Sequence, residues 1–313
     1  MPVSSSYRHV LLLVSATACW GFGTVLSKQV LDRGVAPLTL LVVELSASTL
    51  LLLLATLLTG VRVTLSPAMV KLAALGILNP GLAYALGLLG LVSITASMSV
   101  LLWATEPIGI MLLAVLVLRE RITAATALAI TAAMIGVLLV VYRPGASGDV
   151  AGLALTVTAV ACCAFYAVLT RRLLLDDSSL AVVLVQQVTA LCFAVAVAGI
   201  ASAIGAADLG APEDLSTWAL AAASGMVYYG FAFWFFVGGL RGIPASVAGS
   251  FLPLIPVFGL AAAYALGDRF IDRQWAGTIL VILTTTAAAT WHLSSSSRTR
   301  ERTTISPMSR RRS

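Results

Sequence analysis

Residues Ala18–Lys28 read ACWGFGTVLSK, and residues Ala161–Arg171 read ACCAFYAVLTR. The pairs Ala18/Ala161, Cys19/Cys162, Phe22/Phe165, Val25/Val168 and Leu26/Leu169 are identical, and Ser27/Thr170 and Lys28/Arg171 keep their chemistry. The same register of 143 residues carries into the next helix, where Glu44 falls on Gln187 and Ala47 on Ala190. A later block aligns at a register of 149: Gly76 with Gly225, Gly81 with Gly230, Ala83 with Ala232, Gly90 with Gly239, and Pro107 with Pro256. In that block Ile94-Thr95-Ala96-Ser97 also meets Ile243-Pro244-Ala245-Ser246. Loops tolerate the insertion between the blocks. Chance matches are common in Ala/Leu/Gly-rich sequence, but an ordered series of Gly, Pro and Ala-Ser matches is not. If the unit crosses a membrane an odd number of times, its copies face opposite ways. Such inverted halves build secondary transporters, with a site between them near the bilayer midplane.

The composition places the chain in lipid. Of 313 residues, 60% are hydrophobic and 10% charged. A soluble core cannot hide that share of apolar surface. A spanning helix needs about 20 apolar residues, and the sequence predicts ten: Val10–Leu31, Pro37–Leu58, Val70–Gly90, Ala96–Leu118, Ala124–Val141, Val150–Leu173, Leu180–Ile204, Trp218–Gly239, Ala245–Leu266 and Trp275–His292. These runs lack the alternation of a membrane barrel, and backbone groups in hydrocarbon must be satisfied within the segment, so helices follow. The fold class expected is an all-α integral membrane protein of ten transmembrane helices in two inverted five-helix repeats. The expected divisions are a cytoplasmic N-terminus at 1–9, a first repeat at 10–142, a second at 143–293 and a disordered basic tail at 294–313.

Positive charge sets the orientation. With the N-terminus inside, the inner segments hold Arg8, Arg62, Lys71, Arg119, Arg121, Arg171, Arg172, Arg241 and the tail arginines. The outer segments hold only Lys28, Arg33, Arg143, Arg269 and Arg273. Both termini are therefore expected in the cytoplasm and the protein in the cell membrane. The net charge of +6 is almost all tail. A basic segment beside anionic lipid accounts for it, so no nucleic-acid partner is expected. The cysteines, Cys19, Cys162, Cys163 and Cys192, all fall within spans and read as small packing residues. Arg8, the apolar run and Ala16-Thr17-Ala18-Cys19 loosely resemble a cleaved lipoprotein signal. The apolar run continues past Cys19, however, and its copy recurs in mid-chain.

Trp20-Gly21 with Lys28, Ile94-Thr95-Ala96-Ser97, Glu106-Pro107, Arg119-Glu120-Arg121-Ile122-Thr123 and Gly136-Val137 resemble one copy of the EamA family of the drug/metabolite transporter superfamily. Gly152, Leu169 to Leu173, Ala245-Ser246, Pro256 and Gly267-Asp268-Arg269 resemble a second copy. The resemblance covers about residues 10 to 292, and it rests on order and spacing rather than on any one motif. It implies a ten-helix, two-repeat transporter, often an exporter of metabolites, amino acids or drugs. The chain departs from the family pattern at Glu44, where the family usually has Arg, at Arg119, which replaces the usual Gly, and at Asp268, which replaces the usual Glu. Glu44 reverses a charge beside the presumed cavity, so substrate class does not carry over.

Ionisable groups inside spans are costly and mark function by default. Glu44 and Glu106 are the acids well inside spans. Either is expected to exchange a proton as the transporter switches faces; the bland alternative is a structural hydrogen bond, with Glu106 serving the broken backbone beside Pro107. No cofactor or metal is expected, proton coupling aside. Trp20, Asn79, Tyr84, Trp103, Tyr166, Gln187, Tyr228 and Trp234 are the remaining pathway candidates, with Gln186 and Tyr229 beside them; the alternative for the aromatics is the lipid interface. Lys28 and Arg171, at span ends, serve gating or anchoring. Pro80, Pro107, Pro253 and Pro256 break helices, and Gly76, Gly81, Gly225 and Gly230 allow close approach of backbones. Glu120 and Asp268 read as local ion pairs shaping turns beside arginines.

Other functions fit less well. Gly145-Ala146-Ser147-Gly148 matches the GxSG string of intramembrane serine proteases, but it lies on the expected outer side, whereas His9 and His292 lie near the inner side. Nucleophile and base would not meet. HExxH and Walker A motifs are absent from the sequence, and no ring of charges marks a channel. A lipid or glycolipid flippase of the same fold stays open beside the reading as a small-molecule transporter.

Overall fold

The computed structural model describes residues 3–64, 66–91, 93–94, 96–142, 149–174, 177–207, 209–212, 214–265 and 271–305. These residues form helices and connecting turns, with no β-strand among them. The first half runs α1 (Val3–Leu31), α2 (Pro37–Thr59), α3 (Pro67–Gly76), a π turn (Ile77–Leu82), α4 (Ala83–Leu91), α5 (Ala96–Trp103), α6 (Glu106–Leu118) and α7 (Ala124–Val141). The second half runs α8 (Val150–Leu173), α9 (Ser179–Ala203), α10 (Leu215–Gly225), a π turn (Met226–Phe231), α11 (Ala232–Leu240), α12 (Ala245–Gly249), α13 (Leu254–Ala265) and α14 (Asp272–Ile305).

Local chemistry sets the ends. Pro37 and Pro67 sit in first turns, where a missing N–H costs nothing. Ser66, Thr123 and Asp149 cap α3, α7 and α8 by accepting from the backbone N–H of Met69, Thr126 and Gly152. Gly60 closes α2 in the left-handed region at φ 67°.

Among the described residues, eight stretches are long and apolar enough to cross a membrane: Tyr7–Leu31, Pro37–Thr59, Pro67–Gly90, Ala124–Val141, Val150–Leu173, Ser179–Ala203, Leu215–Leu240 and Ala245–Ala265. Two expected spans come out differently. Ala96–Leu118 is not one helix, because α5 ends at Trp103 and α6 begins at Glu106 with Pro107 in its first turn. Thr105 turns its hydroxyl back onto the Leu102 carbonyl at 2.6 Å, filling the break. Trp275–His292 lies within the longer helix α14, Asp272–Ile305, and is not among the eight. Beyond Leu293, α14 runs on to Ile305, into the segment expected to be disordered.

The halves pack in reciprocal pairs. From the first half, α1 packs on α11 and α13; from the second, α8 packs on α4 and α6. Likewise α2 packs on α10 and α9 on α3, while α2 faces α9 and α7 faces α14. The core follows these contacts, with Leu13, Leu45, Leu72, Tyr166, Phe233 and Leu240 all buried. Leu11, Leu58, Leu116, Leu128, Val150 and Leu215 point outward and are exposed, as a lipid-facing surface requires.

Two glycines fix the register of the pairing. A Cβ on Gly225 would sit 2.7 Å from the Glu44 carbonyl carbon, and one on Gly76 would sit 2.6 Å from that of Gln186. Gln186, not Gln187, thus holds the place that Glu44 holds in the other half. The connection from Arg171 to Ser179 is one residue shorter than that from Lys28 to Pro37, and this shifts the sequence alignment by one.

Candidate functional site

The two π turns occupy matching places in the halves, at the register of 149 found in the sequence. A π turn interrupts the regular ladder and leaves backbone groups to be satisfied otherwise. In the first, Asn79 adopts an extended conformation (φ −151°, ψ 123°) ahead of Pro80. In the second, the Tyr229 carbonyl accepts from the Gln187 side-chain amide at 3.1 Å. Gln187 in turn accepts from the Ser48 hydroxyl of α2 at 3.2 Å, so it ties α9, α2 and the π turn together.

Glu44 sits where α2 meets α10 and α1. Its side chain is buried, at 3% exposure. Its Oε1 accepts from the Ser27 hydroxyl at 2.6 Å and from the Ser224 hydroxyl at 2.6 Å. One serine comes from each half. The two hydroxyl oxygens are themselves 2.8 Å apart. Each hydroxyl has one hydrogen, so both can donate to an ionised carboxylate only if neither donates to the other. A protonated Glu44 can itself donate, and then one serine is free to turn its hydrogen onto its neighbour. The cluster therefore has two complete hydrogen-bond arrangements that differ by one proton.

A run of aromatic rings adjoins it and crosses the junction of the halves. Tyr84 lies 6.0 Å from Trp103, 5.7 Å from Tyr228 and 5.2 Å from Tyr229, centroid to centroid. Phe233 continues the run, 6.2 Å from Tyr229, 5.8 Å from Tyr166 and 5.4 Å from Trp20. The π turn that carries Tyr228 and Tyr229 packs on α2, which carries Glu44. Tyr166 donates its hydroxyl to Gln186 Oε1 at 2.9 Å, and Gln186 donates to Thr170 at 3.4 Å. Trp20 Nε1 and Asn79 Oδ1, a donor and an acceptor, are buried without a hydrogen-bond partner among the described residues.

Most of the sequence-predicted pathway residues therefore gather in one region. Trp20, Glu44, Tyr84, Trp103, Tyr166, Gln187 and Tyr228 join through the contacts above, and half-buried Glu106 opens α6, which packs on α8. Trp234 does not join them; it lines a separate cavity with Arg8 and Arg241. Lys28 is exposed and pairs with Asp32 one turn on. Arg171 is half-buried with its Nε unpartnered. The prolines all mark irregular backbone: Pro80 in the π turn, Pro107 at the start of α6, Pro253 in the turn before α13 and Pro256 in the first turn of α13.

Glu120 corrects the sequence reading. It forms no ion pair with Arg119 or Arg121. Its carboxylate instead accepts from the backbone N–H groups of Ala245 and Ser246, at 2.8 and 3.1 Å, and from the Ser246 hydroxyl. Asp268, Arg143 and Gly145-Ala146-Ser147-Gly148 lie outside the described residues. Sequence reasoning also passed over Ser224 and the second π turn. Ser224 aligns with apolar Leu75, so repetition could not flag it, and Met226–Phe231 lacks the proline that marks its counterpart. Among the described residues no group of His, Cys, Asp or Glu side chains could hold a metal ion.

The EamA-like transporter family matches this chain twice, over residues 8–142 and 150–290. A solved crystal structure, described only as that of a protein, superposes with a TM-score of 0.74 at 20% identity, over 90% of this chain and 96% of the other. That likeness concerns the fold. No curated protein matches.

Proposed function

Because the chain belongs to the EamA-like transporter family, whose members are membrane transporters, we propose that it moves a small solute by alternating access, in exchange for protons. One observation carries the reading: Glu44 is buried at the junction of the halves and held by one serine from each. A rocking motion that separates α2 from α10 would strip Ser224 from the carboxyl. A carboxyl that loses a donor holds its proton more tightly, so proton uptake and the change of face are linked. Glu106, half-buried at the start of α6, is the second acid available for this role.

The solute chamber is the aromatic region between the π turns, with Trp20 Nε1 and Asn79 Oδ1 as free polar contacts. Rings with few charges suit neutral, zwitterionic or amphipathic solutes. The reading places ten crossings in two inverted halves, 10–142 and 143–293, with the first part of α14 as the tenth. It also places both termini in the cytoplasm, the protein in the cell membrane, and net movement outward. Reciprocal packing of α1 on α11 and α8 on α4 supports the two-fold exchange.

The test uses proteoliposomes loaded with a pH-sensitive dye and challenged with a panel of amino acids, nucleosides and amphipathic drugs. At least one solute is expected to move protons in the wild type, and Glu44→Gln is expected to abolish the signal. Full proton movement in both Glu44→Gln and Glu106→Gln overturns the coupling. Tags at His9 and Arg143 that report the same side of the membrane overturn the inverted arrangement.

A further inference from the structure

We propose that the cavity between the start of α1, the start of α9 and the end of α11 binds the phosphate of an anionic phospholipid. The cavity encloses about 450 Å³ and is separate from the aromatic chamber. Arg8 and Arg241 line it, both exposed, and among the described residues no acidic side chain does. Neither arginine forms an ion pair among the described residues. Two uncompensated guanidinium groups at one mouth call for an anion, and their planar forks suit phosphate oxygens.

The remaining lining decides what kind of anion. His9 donates from Nδ1 to the Gly238 carbonyl at 2.9 Å, which holds its ring against the end of α11 at the cavity wall. Leu12, Trp234 and Phe235 form the other wall. Leu12 lies one turn, about 6 Å, deeper along α1 than Arg8. Phe235 lies about 9 Å back along α11 from Arg241. Three apolar spans begin or end here: Tyr7–Leu31, Ser179–Ala203 and Leu215–Leu240. The cavity therefore sits at a membrane border, with charge at its mouth and apolar surface beneath. That is the profile of a lipid headgroup and its first methylenes, not of a soluble phosphate alone. Basic pockets between helix ends bind headgroups in this way. The assignment does not depend on the transport reading.

Native mass spectrometry of the full chain in detergent tests it, with phosphatidylglycerol, phosphatidylcholine and inorganic phosphate as probes. Wild type is expected to retain one phosphatidylglycerol more tightly than phosphatidylcholine. The double variant Arg8→Gln/Arg241→Gln is expected to bind phosphatidylglycerol about 30-fold more weakly, since each basic group near an anionic surface contributes about fivefold. Trp234→Ala, which keeps both charges, is expected to weaken phosphatidylglycerol as well, by removing the apolar wall. Arg62→Gln/Lys71→Gln makes the same charge change elsewhere and is expected to leave binding intact. Equal loss in that control, or no loss in Arg8→Gln/Arg241→Gln, overturns the proposal. Displacement of the lipid by equimolar inorganic phosphate also overturns it and assigns a soluble anion instead.

Discussion

Glu120 of the first half reaches across to Ser246 of the second, accepting from its backbone N–H at 3.1 Å and from its hydroxyl. With the Ala245 N–H at 2.8 Å, the carboxylate closes the otherwise open start of α12. Helix starts leave N–H groups unsatisfied, and an anion there is favourable. The tie holds the α6 end of one half against the other half. Glu120→Ala is expected to lower stability by about 1.5–3 kcal/mol, the scale for hydrogen bonds to a charged group. Glu120→Gln keeps one acceptor oxygen and should fall between. Thermal unfolding followed by tryptophan fluorescence checks this, and an unchanged midpoint for Glu120→Ala contradicts the role.

Close backbone approach makes a sharper prediction. Gly225→Ala and Gly76→Ala drive a methyl group into the backbone of α2 and α9 respectively, where no flexible side chain can yield. Overpacking of this kind costs about 1–3 kcal/mol. Gly199, within α9, meets nothing within 4 Å, so Gly199→Ala should be neutral or slightly stabilising through helix propensity. Comparing the three melting temperatures separates packing from propensity. Equal effects at all three sites would remove the argument.

How much of this was legible in the sequence follows from what repetition can and cannot carry. The order of Gly76, Gly81 and Gly90 against Gly225, Gly230 and Gly239 exposed the duplication, because close helix packing constrains both copies alike. Glu44 stood out because a lone acid in an apolar run is costly. Its partners did not: Ser27 repeats as Thr170, but Ser224 answers to Leu75, since only one half holds an acid for it to meet. Glu120 was misread because its arginine neighbours are local, whereas its real partners lie 125 and 126 residues away. The role of Trp234 was equally hidden. Only the fold shows that α11 turns this ring toward Arg8, away from the neighbouring Phe233 that joins the run of aromatic rings.

Outside the membrane, Asp214 caps α10. It accepts from the Ser216 hydroxyl and from the Thr217 hydroxyl and N–H, the last two both at 2.8 Å. These bonds, Ser216 foremost, hold its carboxyl down at about 2 from an ordinary 3.8. A depressed value means that the cap contributes fully above the unfolded value and fades as pH falls toward 2. The stability advantage of wild type over Asp214→Ala is therefore expected to be constant from pH 7 to about 5 and to shrink between pH 4 and 2. Circular dichroism melts of both proteins across that range measure it. A gap that stays constant down to pH 2 would show that the carboxylate charge plays no part.

Tyr166 and Gln186 test whether the second half carries only structure where Glu44 of the first is proposed to carry a proton. The Tyr166 hydroxyl, at 2.9 Å, is the one donor within 3 Å of the Gln186 amide oxygen among the described residues, and both side chains are buried. Tyr166→Phe leaves that oxygen unpaired, at a cost of about 1–3 kcal/mol. Gln186→Leu strands the tyrosine hydroxyl and should cost a similar amount. In the double variant the tyrosine hydroxyl and the amide oxygen are both gone and only the long bond to Thr170 is lost, so the combined loss should be smaller than the sum. An amide has no proton to exchange near neutral pH. The double variant should therefore keep the wild-type pH dependence of solute flux, while Glu44→Gln, which makes the first half chemically like the second, flattens it. If the Tyr166/Gln186 double variant flattens the profile too, coupling is spread across the junction rather than lodged at Glu44.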